Sequence, residues 1–261
     1  MRIHPTAVIE KGAELGEDVT VGAYCVIGAK AKIGAGAQLY AHVMVDGATE
    51  IGPRTIVHSF AAIGGAPQHL AYRGENTRLI IGADNVIREH VTMNIGSPAG
   101  RGETRIGDKN FIMVGCHVAH DCLVGDGIIM ANNATLGGHV TVGDHAFLGG
   151  LSAIHQFCRI GAQAFVGGCA MVTTDIVPYG LAIGNHAHLA GLNIVGMKRR
   201  GMSRERIHAL RRAYRALFSG EGTFQERLKD VEARYGARPE VRRMLDFVKT
   251  EAKRPLMTPA R

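Results

Sequence analysis

The chain has 261 residues, 46% of them apolar and 20% charged, which is long enough to bury a real core; Val, Ile and Leu recur along its whole length, which excludes a disordered polar chain. No apolar run of about 18 residues could span a membrane, and the first repeat starts at Ile3, leaving no signal peptide. The formal charge of +7 is uneven: residues 197–261 hold 18 Lys/Arg against 8 Asp/Glu, or +10, and the preceding 196 hold 12 against 15, or −3.

That asymmetry places an acidic partner at the tail; no nucleic acid is expected. The five cysteines (Cys25, Cys116, Cys122, Cys158, Cys169) are odd in number and show no CxxC pair, so they read as free thiols in a cytoplasmic protein. With 35 glycines, no Trp and 5% aromatics, the core should be aliphatic and repetitive.

In chain order, steps of six from Ile3 reach Ile9, Leu15, Val21, Ile27, Ile33, Leu39, Val45, Ile51, Val57 and Ile63 without a miss. The residue two before each is small or aliphatic (Ala7, Ala13, Val19, Cys25, Ala31, Ala37), and period-2 alternation puts it on the same inward side. Each hexad is a short strand and a turn, with glycine often following the aliphatic to relieve the turn sterically. Three hexads make an 18-residue coil, and coils stack about 4.8 Å apart. From Ile63 to Ile81 the spacing is one full coil, although 65–79 has no hexad pattern. A step of 13 from Met93 to Ile106 marks a second loop over 95–105. A second run extends from Ile106 through Val118, Val124, Leu136 and Ile154 to Val172, and the hexads stop after Val177-Pro178. Loops extruded from a rigid scaffold are natural places for function.

The tail reads as helical. Ser203 caps a helix bearing Ile207, Leu210, Leu217 and Phe218. Thr223 with Glu226 forms a capping box, and Pro239 suits the first turn of a helix with Val241, Met244, Leu245 and Val248. The expected organisation is a β-helix over 1–178 with insertions near 65–79 and 95–105, a connecting substrate-contacting segment over 179–202, and a helical subdomain over 203–261.

A scaffold needs no polar cluster, yet this chain has one in Cys116-His117-Val118-Ala119-His120-Asp121-Cys122. The frame puts Cys116 and Cys122 inward on different prism faces and His120 at a turn, so they share no metal ion. One coil beyond His120 lies Gly138, and one coil further lies Gln156. A proton-accepting imidazole beside a side-chain-free backbone N–H is a constellation for acyl transfer, with Asp121 placed to orient the ring. His117, His139 and His155 fall within three coils. The frame sets no Ser or Cys beside His120, which favours direct attack by the acceptor.

His-Val-Ala-His-Asp-Cys (117–122), Ala-Asn-Asn-Ala-Thr-Leu-Gly-Gly-His-Val (131–140), Ile-His-Gln-Phe-Cys (154–158), Gly-Asn-His (184–186) and Gly-Leu-Asn-Ile-Val-Gly-Met-Lys-Arg-Arg-Gly (191–201) closely resemble the UDP-N-acetylglucosamine acyltransferases that open lipid A biosynthesis. The resemblance runs along essentially the whole chain. It implies a left-handed parallel β-helix of hexapeptide repeats with a C-terminal α-helical subdomain, assembled as a cytoplasmic homotrimer with sites between subunits. It implies transfer from a 3-hydroxyacyl-acyl carrier protein to the sugar 3-position, with no cofactor. It further implies that His120 is the general base, that Asp121 supports it and that the Gly138 N–H stabilises the oxyanion. Gln68, His117, His139, His155 and Gln156 match substrate-contacting positions, and His186 lies in a matching motif. Asn193, Arg199 and Arg200 match positions near the nucleotide and the donor. Gly168 matches the floor of the acyl groove, where glycine implies a chain on the order of 12 carbons or more.

The chain departs from the family at Gln68-His69-Leu70-Ala71-Tyr72, where Gln-Asp-Leu-Lys-Tyr is common, and at Val91-Thr92-Met93-Asn94, where Val-Thr-Ile-His is frequent. His69 and Asn94 therefore belong to the substrate-binding set and leave two acceptors open, a 3-hydroxyl or a 3-amino sugar nucleotide. Other readings are the N-acyltransferase of the same pathway, which carries an extra N-terminal domain, a coenzyme-A-dependent acetyltransferase, and an inactive scaffold. A zinc β-helix needs His-x4-His, and none of the thirteen histidines are five apart.

Overall fold

The computed structural model describes residues 1–260. The chain is a left-handed parallel β-helix with a C-terminal helical subdomain. Its three faces are parallel sheets of eleven, nine and eight strands, beginning with Arg2–Ile3, Val8–Ile9 and Glu14–Leu15. Most strands are two residues long, one side chain out and one in, because each hexad must turn again at once. Where nothing is inserted the register is 18 residues, as in Arg2↔Thr20, Val8↔Val26 and Thr135↔Ala153.

The inward column is buried as the spacing requires. Ile27, Leu39, Val57, Ile63, Val118, Leu136 and Val172 are at most 1% exposed, and the small residues before them, including Cys25, Cys116, Cys122 and Cys158, are fully enclosed. Burial pushes the Cys116 thiol up to about 11 and those of Cys122 and Cys158 to about 12, so these three are core fillers without thiolate character.

Three local expectations are corrected. Ile81 does not stack one coil above Ile63: it pairs with Ile51 on the third face, while Ile63 pairs with Val45 on the second. The 18-residue step is therefore a six-residue hexad with twelve residues looped out, and the coil register there becomes 30, as in Ile56↔Val86. Insertion of a multiple of six leaves the hexad phase intact and hides the change of face. At the second loop the register is 25, in Thr92↔His117.

The glycines after the aliphatics are also needed for a different reason. Gly16, Gly22 and Gly143 do not have positive φ; a Cβ on each would sit 2.6–2.7 Å from a backbone nitrogen of the next coil. The left-handed turn position lies two residues further on, and ordinary residues occupy it, among them Asp18, Asp121, His139, His145 and Phe157, all with φ between 54° and 68°. Finally, the helix continues past Pro178. Strand Gly180–Ile183 adds a parallel rung through Phe165↔Leu181, then pairs antiparallel with His188–Leu192.

The tail forms α1 (Ile194–Arg199), α2 (Arg204–Ser219), α3 (Phe224–Tyr235) and α4 (Pro239–Lys249). Ser203 caps α2, and Thr223 and Glu226 make the reciprocal box on α3. Helix α1 has no apolar period and was not visible in the hexad or helical patterns. Beyond α4 the chain returns to the β-helix: Asp175 N–H donates to Pro255 O at 2.9 Å, and Leu189 N–H to Thr258 O at 3.0 Å. Among the described residues no helix is long and apolar enough to cross a membrane.

Candidate active site

The corner between the second and third faces gathers the expected His120, Asp121, Gly138, His139 and Gln156. Successive coils place His120, Gly138 and Gln156 at one turn position and Asp121, His139 and Phe157 at the next. The coils are tied by His139 N–H to His120 O at 3.0 Å and by Phe157 N–H to Gly138 O at 3.1 Å. The left-handed φ of Asp121 (60°), His139 (63°) and Phe157 (68°) turns the chain sharply at this edge.

His120 is 9% exposed and its Nδ1 lies 2.7 Å from Asp121 Oδ2. An ionised carboxylate only accepts, so Nδ1 carries the proton and Nε2 keeps a lone pair. The ring occupies the space in front of Gly138, where a Cβ would lie 2.7 Å from Cε1 and 2.8 Å from Nε2. Glycine is needed here for close approach. Gly137 and His139 donate their N–H groups to Ile154 O and His120 O, while the Gly138 N–H between them has no backbone acceptor among the described residues. The His120 ring and a backbone N–H without a backbone acceptor thus lie on neighbouring coils of one corner.

Asp121 is fully buried. Oδ2 accepts from the Ser97 hydroxyl at 2.6 Å and the Ser97 N–H at 3.1 Å, and Oδ1 from the Arg101 N–H at 2.8 Å. Its own N–H donates to Thr104 Oγ1 at 2.8 Å. Burial alone would raise the Asp121 carboxyl, but the bonds from Ser97, His120 and Arg101 outweigh it and hold the group below the ordinary aspartate value. Gly100 lies so close to this carboxylate that a Cβ would strike it. Sequence reasoning missed Ser97, Gly100, Arg101 and Thr104, although it flagged the loop over 95–105 that carries all four.

His117 bonds Thr92 Oγ1 through Nδ1 at 2.7 Å; burial, then the neighbouring His120, pushes its basicity down. Burial likewise lowers His139, with Asp121 opposing. His139 stacks on Phe157 at 4.4 Å and meets His120 edge-on at 5.1 Å. His69, from the first loop, makes a T-shaped contact with His120 at 5.5 Å, and Gln68 beside it is exposed. Asn94 is 7% exposed; its Nδ2 donates to Ala66 O at 3.0 Å and Gly65 O at 3.3 Å, and its buried Oδ1 has no partner. His155 Nδ1 lies 2.6 Å from Arg254 Nη2, and Arg254 Nε donates to Gln156 O at 3.0 Å, so the C-terminal segment reaches this corner across about a hundred residues of chain. Imidazole and carboxylate atoms of His120, Asp121 and His139 lie within 4.8 Å of one another, a trio the frame argument about Cys116 and Cys122 did not consider as ligands.

The other expected residues lie elsewhere. His186 bridges Met171 at the end of the second face, four strand spacings or ~19 Å from His117. Gly168 is at the corner between the first and second faces. Asn193 caps α1, accepting from Gly196 N–H at 2.9 Å and donating to Gln163 O at 3.0 Å. Asn193, Arg199 and Arg200 line a cavity of about 450 Å³ with His145, Phe147 and Phe165. His145 Nδ1 there is buried and unpartnered. This cavity belongs to the first face, opposite the His120 corner across the prism. One chain does not bring the two together.

Residues 175–257 match the family model described as UDP N-acetylglucosamine O-acyltransferase, domain 2, and residues 103–138 match the model of the bacterial transferase hexapeptide (six repeats). The chain is 56% identical to the acyl-[acyl-carrier-protein]–UDP-N-acetylglucosamine O-acyltransferase of Caulobacter vibrioides over 100% of its length and 99% of the relative's. It is 54% identical to the protein of the same name from Azorhizobium caulinodans, covering 99% of this chain and 96% of that one. Among solved structures, the UDP-N-acetylglucosamine acyltransferase of Campylobacter jejuni is 41% identical with a TM-score of 0.93, covering 99% of this chain and 100% of that one.

Proposed function

The chain belongs to the acyl-[acyl-carrier-protein]–UDP-N-acetylglucosamine O-acyltransferase family, and from that premise we propose that it moves a 3-hydroxyacyl chain from acyl carrier protein to the 3-hydroxyl of UDP-N-acetylglucosamine in lipid A biosynthesis. The observation that carries the reading is the His120 ring, held by Asp121 and packed into the space that a Cβ on Gly138 would take. His120 Nε2 takes the proton of the 3-hydroxyl as that oxygen attacks the thioester carbonyl. The Gly138 N–H meets the developing oxyanion. Collapse breaks the C–S bond, and the imidazolium returns its proton to the leaving thiolate, giving the 3-O-acyl sugar nucleotide and the free carrier thiol. Asp121, kept ionised, favours the required tautomer and the transient positive charge.

The cavity at Asn193, Arg199 and Arg200 suits a nucleotide diphosphate, with Phe147 and Phe165 as apolar walls. Its place across the prism from His120 supports a homotrimer in which each site takes the base from one subunit and this cavity from its neighbour. The test is mass spectrometry of products from a panel of acyl-carrier-protein donors and sugar nucleotides. One 3-O-acyl product is expected, and His120→Ala should lower turnover by about 10²–10⁴-fold with the assembly intact. Near-normal turnover in that variant would falsify the assignment of the base.

A second acceptor is favoured by one observation. A hydroxyl has one proton, which goes to His120; an amine has another N–H that needs an acceptor. The buried, unpartnered Oδ1 of Asn94, which follows Met93 where that residue pairs with Val118, offers such an acceptor. A 3-amino sugar nucleotide therefore competes with the 3-hydroxyl, and kcat/KM for the two with one donor decides it. A large ratio toward the hydroxyl ends the amine reading.

A further inference from the structure

We propose that a second cavity beside His120 is an anion subsite, in which Arg101 and Lys253 hold a phosphate ester of one of the two substrates. The identity of the ester rests on the acyl-transfer reading above; the subsite itself does not. The cavity measures about 330 Å³ and lies between the second loop and the C-terminal segment, with His139 and Phe157 in its wall. His139 meets the His120 ring at 5.1 Å, so the cavity opens within one ring of the base.

Two cations face this space without an ion pair among the described residues. The Arg101 backbone N–H is bonded to Asp121 Oδ1 at 2.8 Å, which fixes the residue against the catalytic pair, while its exposed guanidinium has no acceptor among the described residues. Lys253 holds its ammonium 4.3 Å over the Phe157 ring and makes no ion pair there. Next to it, Arg254 ties the segment down through His155 and Gln156 O. A third cation, Arg159, also lines the cavity, but Asp175 claims it at 2.6 Å. One acid, Glu251, faces the same space and leaves the balance positive.

A planar five-donor fork and a mobile ammonium converging on one concave space match a phosphate better than a neutral group. The basic residues of the first-face cavity, Arg199 and Arg200, lie across the prism in the same chain and come to this corner only from a neighbouring subunit, so Arg101 and Lys253 are the unpaired cations this chain itself supplies here. Both substrates of the proposed reaction bring phosphate: the diphosphate of the sugar nucleotide and the phosphodiester of the carrier's prosthetic arm.

The experiment uses the full-length protein as wild type, Arg101→Ala, Lys253→Ala and the double variant. Both side chains are exposed, and the 101 substitution keeps the N–H that supports Asp121. Calorimetric titration with inorganic pyrophosphate reads the subsite directly; each single variant should weaken it about tenfold, as loss of a charge-assisted contact does. Steady-state kinetics then identify the ester. If the sugar diphosphate sits there, KM for the sugar nucleotide rises about tenfold. If the carrier arm sits there, the wild type prefers acyl-phosphopantetheine to acyl-pantetheine and the double variant loses that preference. Unchanged pyrophosphate affinity together with unchanged KM for both substrates overturns the proposal. A wild type inactive with every donor and acceptor refutes the acyl-transfer reading instead, and the titration still decides the subsite.

Discussion

Asp121 is where single groups decide the chemistry. Its carboxylate accepts two hydrogen bonds from Ser97, one from Arg101 and one from His120, and its N–H donates to Thr104. Asp121→Asn removes the charge that favours the Nδ1–H tautomer and should cut kcat by about 10²-fold or more, read in single-turnover kinetics. It should also show in the pH dependence of stability. The folded-state value lies below the unfolded value of about 4, so the carboxylate stabilises the fold above that pH. The gain is lost as pH falls through the folded value. The gap in Tm between wild type and Asp121→Asn should therefore be full at pH 7 and close in acid; a gap that widens in acid refutes the assignment. Gly138→Ala retains the N–H but puts a methyl where the imidazole lies, and should lower kcat through ring displacement with little change in Tm.

Strands and corners obey a steric rule set by neighbouring coils. A Cβ on Gly143 would stand 2.6 Å from Ala162 N, closer than any real contact, so Gly143→Ala should destabilise the helix by roughly 1–3 kcal/mol, measured by thermal unfolding. Gly168 is the contrasting case. Its Cβ would meet only the Gly150 backbone, O at 3.3 Å and N at 4.0 Å, so the corner accepts a side chain with a small shift. If Gly168 floors the acyl groove, as the family resemblance implies, Gly168→Met should fold normally and shorten the preferred acyl chain. An unchanged donor profile in that variant removes the role.

At the scale of the whole molecule, His120, the proposed base, and the cavity proposed for the nucleotide occupy opposite sides of one prism. A mixture of His120→Ala and Arg200→Ala subunits, each nearly inactive alone, should recover activity approaching about a quarter of wild type, the fraction of junctions pairing an intact base with an intact cavity. No recovery on co-refolding would place the whole site in one chain. The excess of +10 after Gly196 predicts a second effect: KM for the carrier protein should rise with salt as screening weakens its capture.

Hexad spacing by itself determined the β-helix, the inward column and the stacking of His120 under Gly138, because a rigid period converts sequence separation into spatial neighbourhood. Helix caps were equally local: Ser203 and Thr223 each act on the residue three further along. Phase alone could not tell that Ile81 had changed face, since twelve inserted residues preserve a period of six. Contacts made across the fold were decided only by tertiary structure. Ser97 and Arg101 reach Asp121 from an aperiodic loop, and Lys253 and Arg254 reach the same corner from beyond the last helix. No periodicity links such residues; their meeting depends on how each loop closes over the scaffold, which is a property of packing.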